Sequence, residues 1–319
     1  MTTRSISVVY PVQPSDPAEF REFGRWVAEH PGSRLWTGQS QGISSFQAAA
    51  YLAGGGIHVP FGLGVNLLTL MHPSEFAVQA RSMAMLTGYD VLAGVGTGGP
   101  AFVRAMTGAD EERPAARTRE YLDVARATIG GVPFDYEGRY YSVRAGYPAV
   151  SAPQVGFGAG VLRPTMARVA GASADFVVVW LTPAAWVADT LLPALDQGAL
   201  GAGRSRPRVV SYLHAAVDRV GRDPRSLVAH GNSAHLAAAH YVDMLRSAGL
   251  PIESDGTVSP GSLIDHGVFG FGSPTDIARM VHSQWDAGID EVALNLSGVY
   301  LTEGMAATLR DLDAILDEL

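Results

Sequence analysis

The chain contains no cysteine. That excludes disulfides, iron–sulfur clusters, thiolate zinc sites and a thiol nucleophile. It also contains no lysine, so all 23 basic residues are arginine. Without lysine there is no Schiff-base chemistry and no phosphate-loop lysine. Long apolar runs are missing as well. None reaches the roughly 18–20 residues a membrane span requires, so no membrane partner is expected. An excess of positive charge is absent too: the formal net charge is −8, which speaks against nucleic acid as a partner. The first ten residues lack the apolar stretch and small-residue cleavage site of a secretory leader, so a cytoplasmic location is expected.

What the chain does have is core. Of its 319 residues, 47% are hydrophobic and 17% charged, as in a folded globular protein. Short β-branched runs alternate with longer helical patterns. The runs fall at residues 6–10, 34–37, 58–68, 89–95, 154–157, 174–181, 208–217 and 291–296. Between them lie helical spacings such as Phe20, Phe23, Trp26 and Val27, and Pro73 followed by Phe76, Ala80 and Met83. Eight strands alternating with helices suit a (β/α)8 barrel or a doubly wound sheet. A GxGxxG turn after the first strand would favour the sheet, but Pro11-Val-Gln-Pro14 stands there. The expected fold is therefore α/β, a (β/α)8 TIM barrel formed as one domain over 1–319, with an insertion near residues 221–271.

Chemistry in such a barrel gathers at the C-terminal ends of the strands. Gly96-Thr97-Gly98-Gly99-Pro100 follows the fourth strand, where free backbone N–H groups can meet a ligand. Gly158-Ala159-Gly160-Val161 follows the fifth and leads into a helix, an arrangement suited to phosphate, with Arg163 able to add charge. A tight turn and a solvated arginine account for the same residues equally well. Asn66 interrupts an apolar strand and needs a partner, either a ligand or a backbone group. Trp180 ends another apolar strand and is either core or the wall of a planar ligand. His230, His235 and His240 are five apart, which is not the helical spacing of paired metal ligands, so no metal site is expected. No G-x-S-x-G elbow is present.

Four stretches together resemble the bacterial luciferase-like superfamily. They are Gly62-Leu-Gly-Val-Asn66 with His72-Pro73, then Val91-Leu-Ala-Gly-Val-Gly-Thr-Gly98. Next come Phe134-Asp-Tyr-Glu-Gly-Arg-Tyr-Tyr141 with the Pro153–Gly158 strand, and finally Phe271-Gly-Ser-Pro-Thr-Asp-Ile-Ala with Ala287-Gly-Ile-Asp-Glu-Val-Ala-Leu294. Two places depart from the family pattern. Met85-Leu-Thr-Gly-Tyr-Asp90 lacks its arginine, and the aspartate-glycine after the sixth strand is altered.

The resemblance implies an oxidoreductase whose barrel mouth holds a flavin or deazaflavin ring among Gln39, Asn66, Thr97 and Gly98. It implies a phosphate anchor at Gly158, Ala159, Gly160 and Val161, and a cis peptide near Val65–Leu67. Coenzyme F420 is the expected cofactor, in a reductase that passes hydride to an activated double bond or imine of a biosynthetic intermediate. FMN in an oxygen-using monooxygenase is the alternative, and a non-catalytic flavin-binding relative a further one. His72 and Tyr10 are the candidate acids, though a helix cap and a core rim explain them as well. The substrate is expected to be a small molecule or a modified peptide, and the protein a homodimer.

Overall fold

The computed structural model describes residues 4–30 and 32–319. The part of the leader reading that falls on residues 1–3 lies outside them. Eight parallel strands close on themselves: β1 (Ser5–Val9), β2 (Leu35–Thr37), β3 (Phe61–Leu67), β4 (Val91–Gly96), β5 (Val155–Gly160), β6 (Phe176–Trp180), β7 (Arg208–Val217) and β8 (Glu291–Asn295). Each pairs with the next, and β8 returns to β1. Helices pack around this cylinder, so the fold is the expected (β/α)8 barrel. Proline opens several of them, including Pro17–Glu29, Pro73–Thr87 and Pro164–Ser173, where its missing N–H is not needed. Two elements lie outside the barrel: an antiparallel hairpin (Phe134–Glu137 with Ser142–Ala145), and a short strand, Phe269–Gly272, paired to the upper end of β7. Among the described residues no helix is long and apolar enough to cross a membrane.

Side chains alternate along a strand, so every second residue points into the lumen. The lumen has three layers. At its lower end Glu291 accepts from Ser7 Oγ at 2.6 Å and Trp36 Nε1 at 2.8 Å, and it pairs with Arg208 at 3.2 Å. The middle is apolar: Val9, Trp36, Phe176, Val178, Val210, Tyr212 and Ala293 form a closed cluster. The upper end, at the C-terminal tips of the strands, is where Trp180, His214 and Asn295 project.

The middle layer explains the glycines of β3 and β5. A side chain at Gly62 would strike the Trp36 ring, one at Gly64 the Tyr212 hydroxyl, and one at Gly158 the Phe176 ring. These strands carry glycine because large rings occupy the space, those of Trp36 and Phe176 from the neighbouring strand and that of Tyr212 from across the barrel. One boundary is thereby corrected. The fifth strand does not stop at residue 157 with a glycine turn after it. It runs through Gly160, with Gly158, Ala159 and Gly160 paired to Phe176, Val177 and Val178. Glycine signals a turn when read alone, but here it signals close packing.

Several further elements escaped the sequence reading, the helix Ser297–Glu303 among them. The helix Pro100–Thr107 follows the Gly96–Gly99 run directly, and the strand Phe269–Gly272 closes the insertion. The helix is short, and the strand holds two glycines, so neither carries a strong periodic signal. The insertion itself folds as the helices Pro224–Leu236, Ala239–Ser247 and Pro260–Asp265.

Replacing Gly158 with valine overpacks the lumen. We expect a loss of about 1–3 kcal/mol or more, read from the urea midpoint. Unchanged stability would contradict the packing role given to this glycine.

Candidate active site

The upper end of the lumen is built from strand tips. The peptide bond Gly64–Val65 is cis, at the bond entering the predicted stretch, and the β3–β4 register shifts between Leu63 and Asn66. This irregularity puts the Val65 side chain inside the barrel. It fills the space a side chain at Gly96 would need and lies 3.5 Å from the position of one at Gly160. Gln39 holds the kink in place. Its backbone N–H donates to the Val65 carbonyl at 2.9 Å, and its Oε1 accepts from the Leu67 N–H at 3.2 Å. Asn66 is buried, and its Oδ1 has no hydrogen-bond partner.

Opposite this kink, β6, β7 and β8 raise a polar cluster. Tyr212 points into the lumen, so His214, two residues on, does too. Its Nε2 lies 3.2 Å from Asn295 Nδ2, while Asn295 Oδ1 accepts from the Ser297 N–H at 2.9 Å. The second contact fixes the amide, so Nδ2 is the atom that donates to the imidazole. Nε2 must therefore be the acceptor, and the imidazole proton sits on Nδ1. That atom is buried without a partner. Burial, reinforced by His235, pushes the His214 pKa down to about 3. The Tyr212 carbonyl opposes the shift without reaching hydrogen-bond geometry at Nδ1.

Trp180 covers this histidine edge-on, with ring centroids 4.6 Å apart. The indole also packs on Tyr212 at 5.4 Å and on His235 at 5.2 Å, and its Nε1 is buried without an acceptor. His235 comes from the insertion and meets Tyr241, which meets His240. Burial lowers the His235 pKa to about 4 and that of His240 as well. The three imidazoles are thus neutral at pH 7. Arg163 donates to Asp243 at 3.0 Å and to the His240 carbonyl at 3.4 Å, so it ties the insertion to the end of β5.

The remaining candidates fall in distinct places. Thr97 and Gly98 lie past the tip of β4, half-buried, and Gly98 takes a positive φ of 76°. Gly158 and Ala159 are inside β5, Gly160 is its last residue, and Val161 is buried just beyond. The helices after β4 and β5 both begin without a side-chain cap, so their first N–H groups are free of one. His72 is exposed and caps the helix Pro73–Thr87, its Nδ1 accepting from the Ser74 N–H at 3.2 Å. Tyr10 is turned away from the lumen. Its ring packs edge-on against Phe20 and Phe23 of the first helix, and burial beside Glu19 raises its pKa to about 12. Val9, its neighbour on β1, is the residue that faces inward. Tyr10 is therefore corrected from candidate acid to part of the helix–strand core.

His214, Asn295, His235 and Tyr241 were missed. The signal was available for the first two. His214 interrupts Val-Val-Ser-Tyr-Leu-His-Ala-Ala-Val, and Asn295 interrupts Val-Ala-Leu-Asn-Leu. The argument that singled out Asn66 applies equally to both. His235 and Tyr241 reach the mouth only through the fold of the insertion. Among the described residues no cluster of three or more histidines and carboxylates is arranged to hold a metal.

The parallel barrel agrees with the proteins this chain resembles. The chain belongs to the luciferase-like monooxygenase family, whose profile matches residues 5–290. Among characterised relatives, the F420-dependent glucose-6-phosphate dehydrogenase of Nocardia farcinica is 32% identical over 154 residues, 45% of this chain and 45% of that protein. The match therefore spans less than half of that relative. A solved F420-dependent secondary alcohol dehydrogenase, in complex with an F420-acetone adduct, superposes with a TM-score of 0.77 at 15% identity, covering 98% and 99% of the two chains. A monooxygenase from Streptomyces bottropensis gives 0.74 at 13% identity, covering 99% and 98%. These two likenesses show the shared fold.

The buried histidines make stability depend on pH. Their folded pKa values lie below the unfolded 6.5, so the unfolded chain binds more protons between the two. Stability is complete above pH 6.5 and falls as pH drops, by about 1.4 kcal/mol per pH unit for each histidine, until about pH 4 for His235 and about 3 for His214. His214→Phe is expected to flatten this slope in urea melts taken between pH 4.5 and 6.5. An unchanged slope would place the protonation elsewhere.

Proposed function

We propose that this protein is an oxidoreductase that uses reduced coenzyme F420 to deliver hydride to an activated double bond or imine of a biosynthetic intermediate. The observation that carries this reading is the kink of β3. It sets the Val65 side chain between Gly96 and Gly160 and leaves the Asn66 carbonyl oxygen buried without a donor. A flat heterocycle fits against the Val65 side chain, which offers it an apolar backing inside the barrel. The F420 dependence of the Nocardia relative supports the choice of cofactor.

Bound there, the reduced deazaflavin supplies a hydride from carbon and reacts little with oxygen, whereas reduced flavin would supply electrons to oxygen. The chain's own part is to position and to exclude. Gln39 fixes the β3 kink through its two hydrogen bonds, so that Val65 has one position. The uncapped N-termini at Pro100 and Pro164 point positive dipole ends at the mouth, where a phosphate-bearing tail is stabilised. The apolar middle layer keeps water from rising through the barrel.

Gly160 gives the test. A side chain there meets Val65 at ordinary contact distance, so the fold tolerates small additions. Calorimetric titration with F420 and, separately, FMN is expected to show micromolar or tighter binding of F420 and weaker binding of FMN. Gly160→Ala should weaken F420 at least tenfold, roughly 1.4 kcal/mol, with little change in the urea midpoint. Tight FMN with weak F420 would make the protein an oxygen-using monooxygenase. Unchanged affinity in the variant would remove β5 from the cofactor site.

A further inference from the structure

The upper lumen holds two buried donors with no acceptor. His214 Nδ1 carries the ring proton because Asn295 occupies Nε2, and the adjacent Trp180 presents its indole Nε1–H. Donors sealed away from water without partners cost free energy unless something accepts from them. Their surroundings are flat and uncharged. Tyr212 lies on one side of the indole and His235 on another, with Tyr241 beyond. The arginine that reaches this corner, Arg163, is already paired with Asp243. The chain has no lysine to supply another kind of cation.

We infer that the corner formed by Trp180, His214, His235 and Tyr241 is the substrate subsite, and that it selects an uncharged, planar substrate whose carbonyl oxygen or imine nitrogen accepts from His214 Nδ1–H. The inference rests on the reading of the mouth as a redox site and names the substrate class for it. A carbonyl or imine in conjugation with the accepting carbon withdraws electrons more strongly when it receives a hydrogen bond. Neutral imidazole is a donor that adds no charge, so an anionic group gains little there and loses its hydration. Trp180 covers the imidazole, so the ligand must take the place of the indole edge.

The subsite assigns Trp180 to the substrate and not to the cofactor ring. It also separates this chain from its phosphosugar-oxidising relative: a phosphorylated sugar would find neutral rings and no unpaired cation in this corner. Asn295 is a positioning residue, which acts by fixing the imidazole tautomer.

The test uses two probes with one skeleton. Benzalacetone is a neutral planar enone, and cinnamate is its carboxylate counterpart; glucose 6-phosphate serves as the phosphorylated probe. Binding is followed by tryptophan fluorescence and by nitrogen-15 spectra of the labelled imidazoles, without cofactor and again with it. The free protein is expected to show His214 as the Nδ1–H tautomer. Benzalacetone should shift that signal and bind at least tenfold tighter than cinnamate or glucose 6-phosphate. His214→Phe should lose at least tenfold in benzalacetone affinity while F420 affinity stays within twofold. Asn295→Asp should move the ring proton to Nε2 and weaken the enone, a change that a merely structural residue would not make. An Nε2–H tautomer in the wild type overturns the inference without any variant having to fold. So does equal or tighter binding of either anion, and so does unchanged enone affinity in His214→Phe. Loss of F420 binding in the wild type would count against the cofactor reading alone, because the enone is titrated without it.

Discussion

The lumen of this barrel is filled by three large rings packed against glycine. Trp36 lies over Gly62 and Phe176 over Gly158 on the neighbouring strand, while Tyr212 reaches across to Gly64, and the rings fit only because these three glycines have no side chains. Large rings packed against bare backbone approach the density of a protein interior. That seal divides the molecule. Below it lies a network of charge centred on Glu291, where Arg208 and Trp36 donate to the carboxylate. Above it lies a polar layer in which His214 and Asn295 are buried.

The upper layer depends on the seal in a second way. His214 stands directly above Tyr212 on β7, and Trp180 packs on both. With the middle closed, the histidine cannot be hydrated from below, and the indole covers it from above. Its neutrality follows from that burial. Asn295 then decides which nitrogen keeps the proton. Neutral rings, a fixed tautomer and orphaned donors thus have one origin: a lumen packed with aromatic side chains beneath a covered mouth. The insertion completes the cover by bringing His235 and Tyr241 over Trp180.

Much of this was legible in the sequence. All eight barrel strands were readable from β-branched runs, because parallel strands buried on both faces leave long apolar segments. Luciferase-like motifs around Gly62–Asn66 and Val91–Gly98 placed the kinked strand and the mouth. What could not be read was which glycines turn and which merely make room. Gly158 and Gly160 look like a loop until the Phe176 ring is seen beside the first of them. Tyr10 shows the same limit, since the face of a strand is set by register, and one residue's difference turns its ring into the helix layer. His214 and Asn295 were readable in principle as polar breaks in apolar strands. His235 and Tyr241 were not, because they meet Trp180 only through the packing of a helical insertion.

The filled middle of the lumen separates the two ends of the barrel, and we propose the upper one for the cofactor. A crystal structure of the protein soaked with F420 tests it most directly. The deazaflavin ring is expected at the C-terminal tips of the strands, against Val65. A ring bound at the opposite end, among Arg34, Arg208 and Glu291, would contradict it.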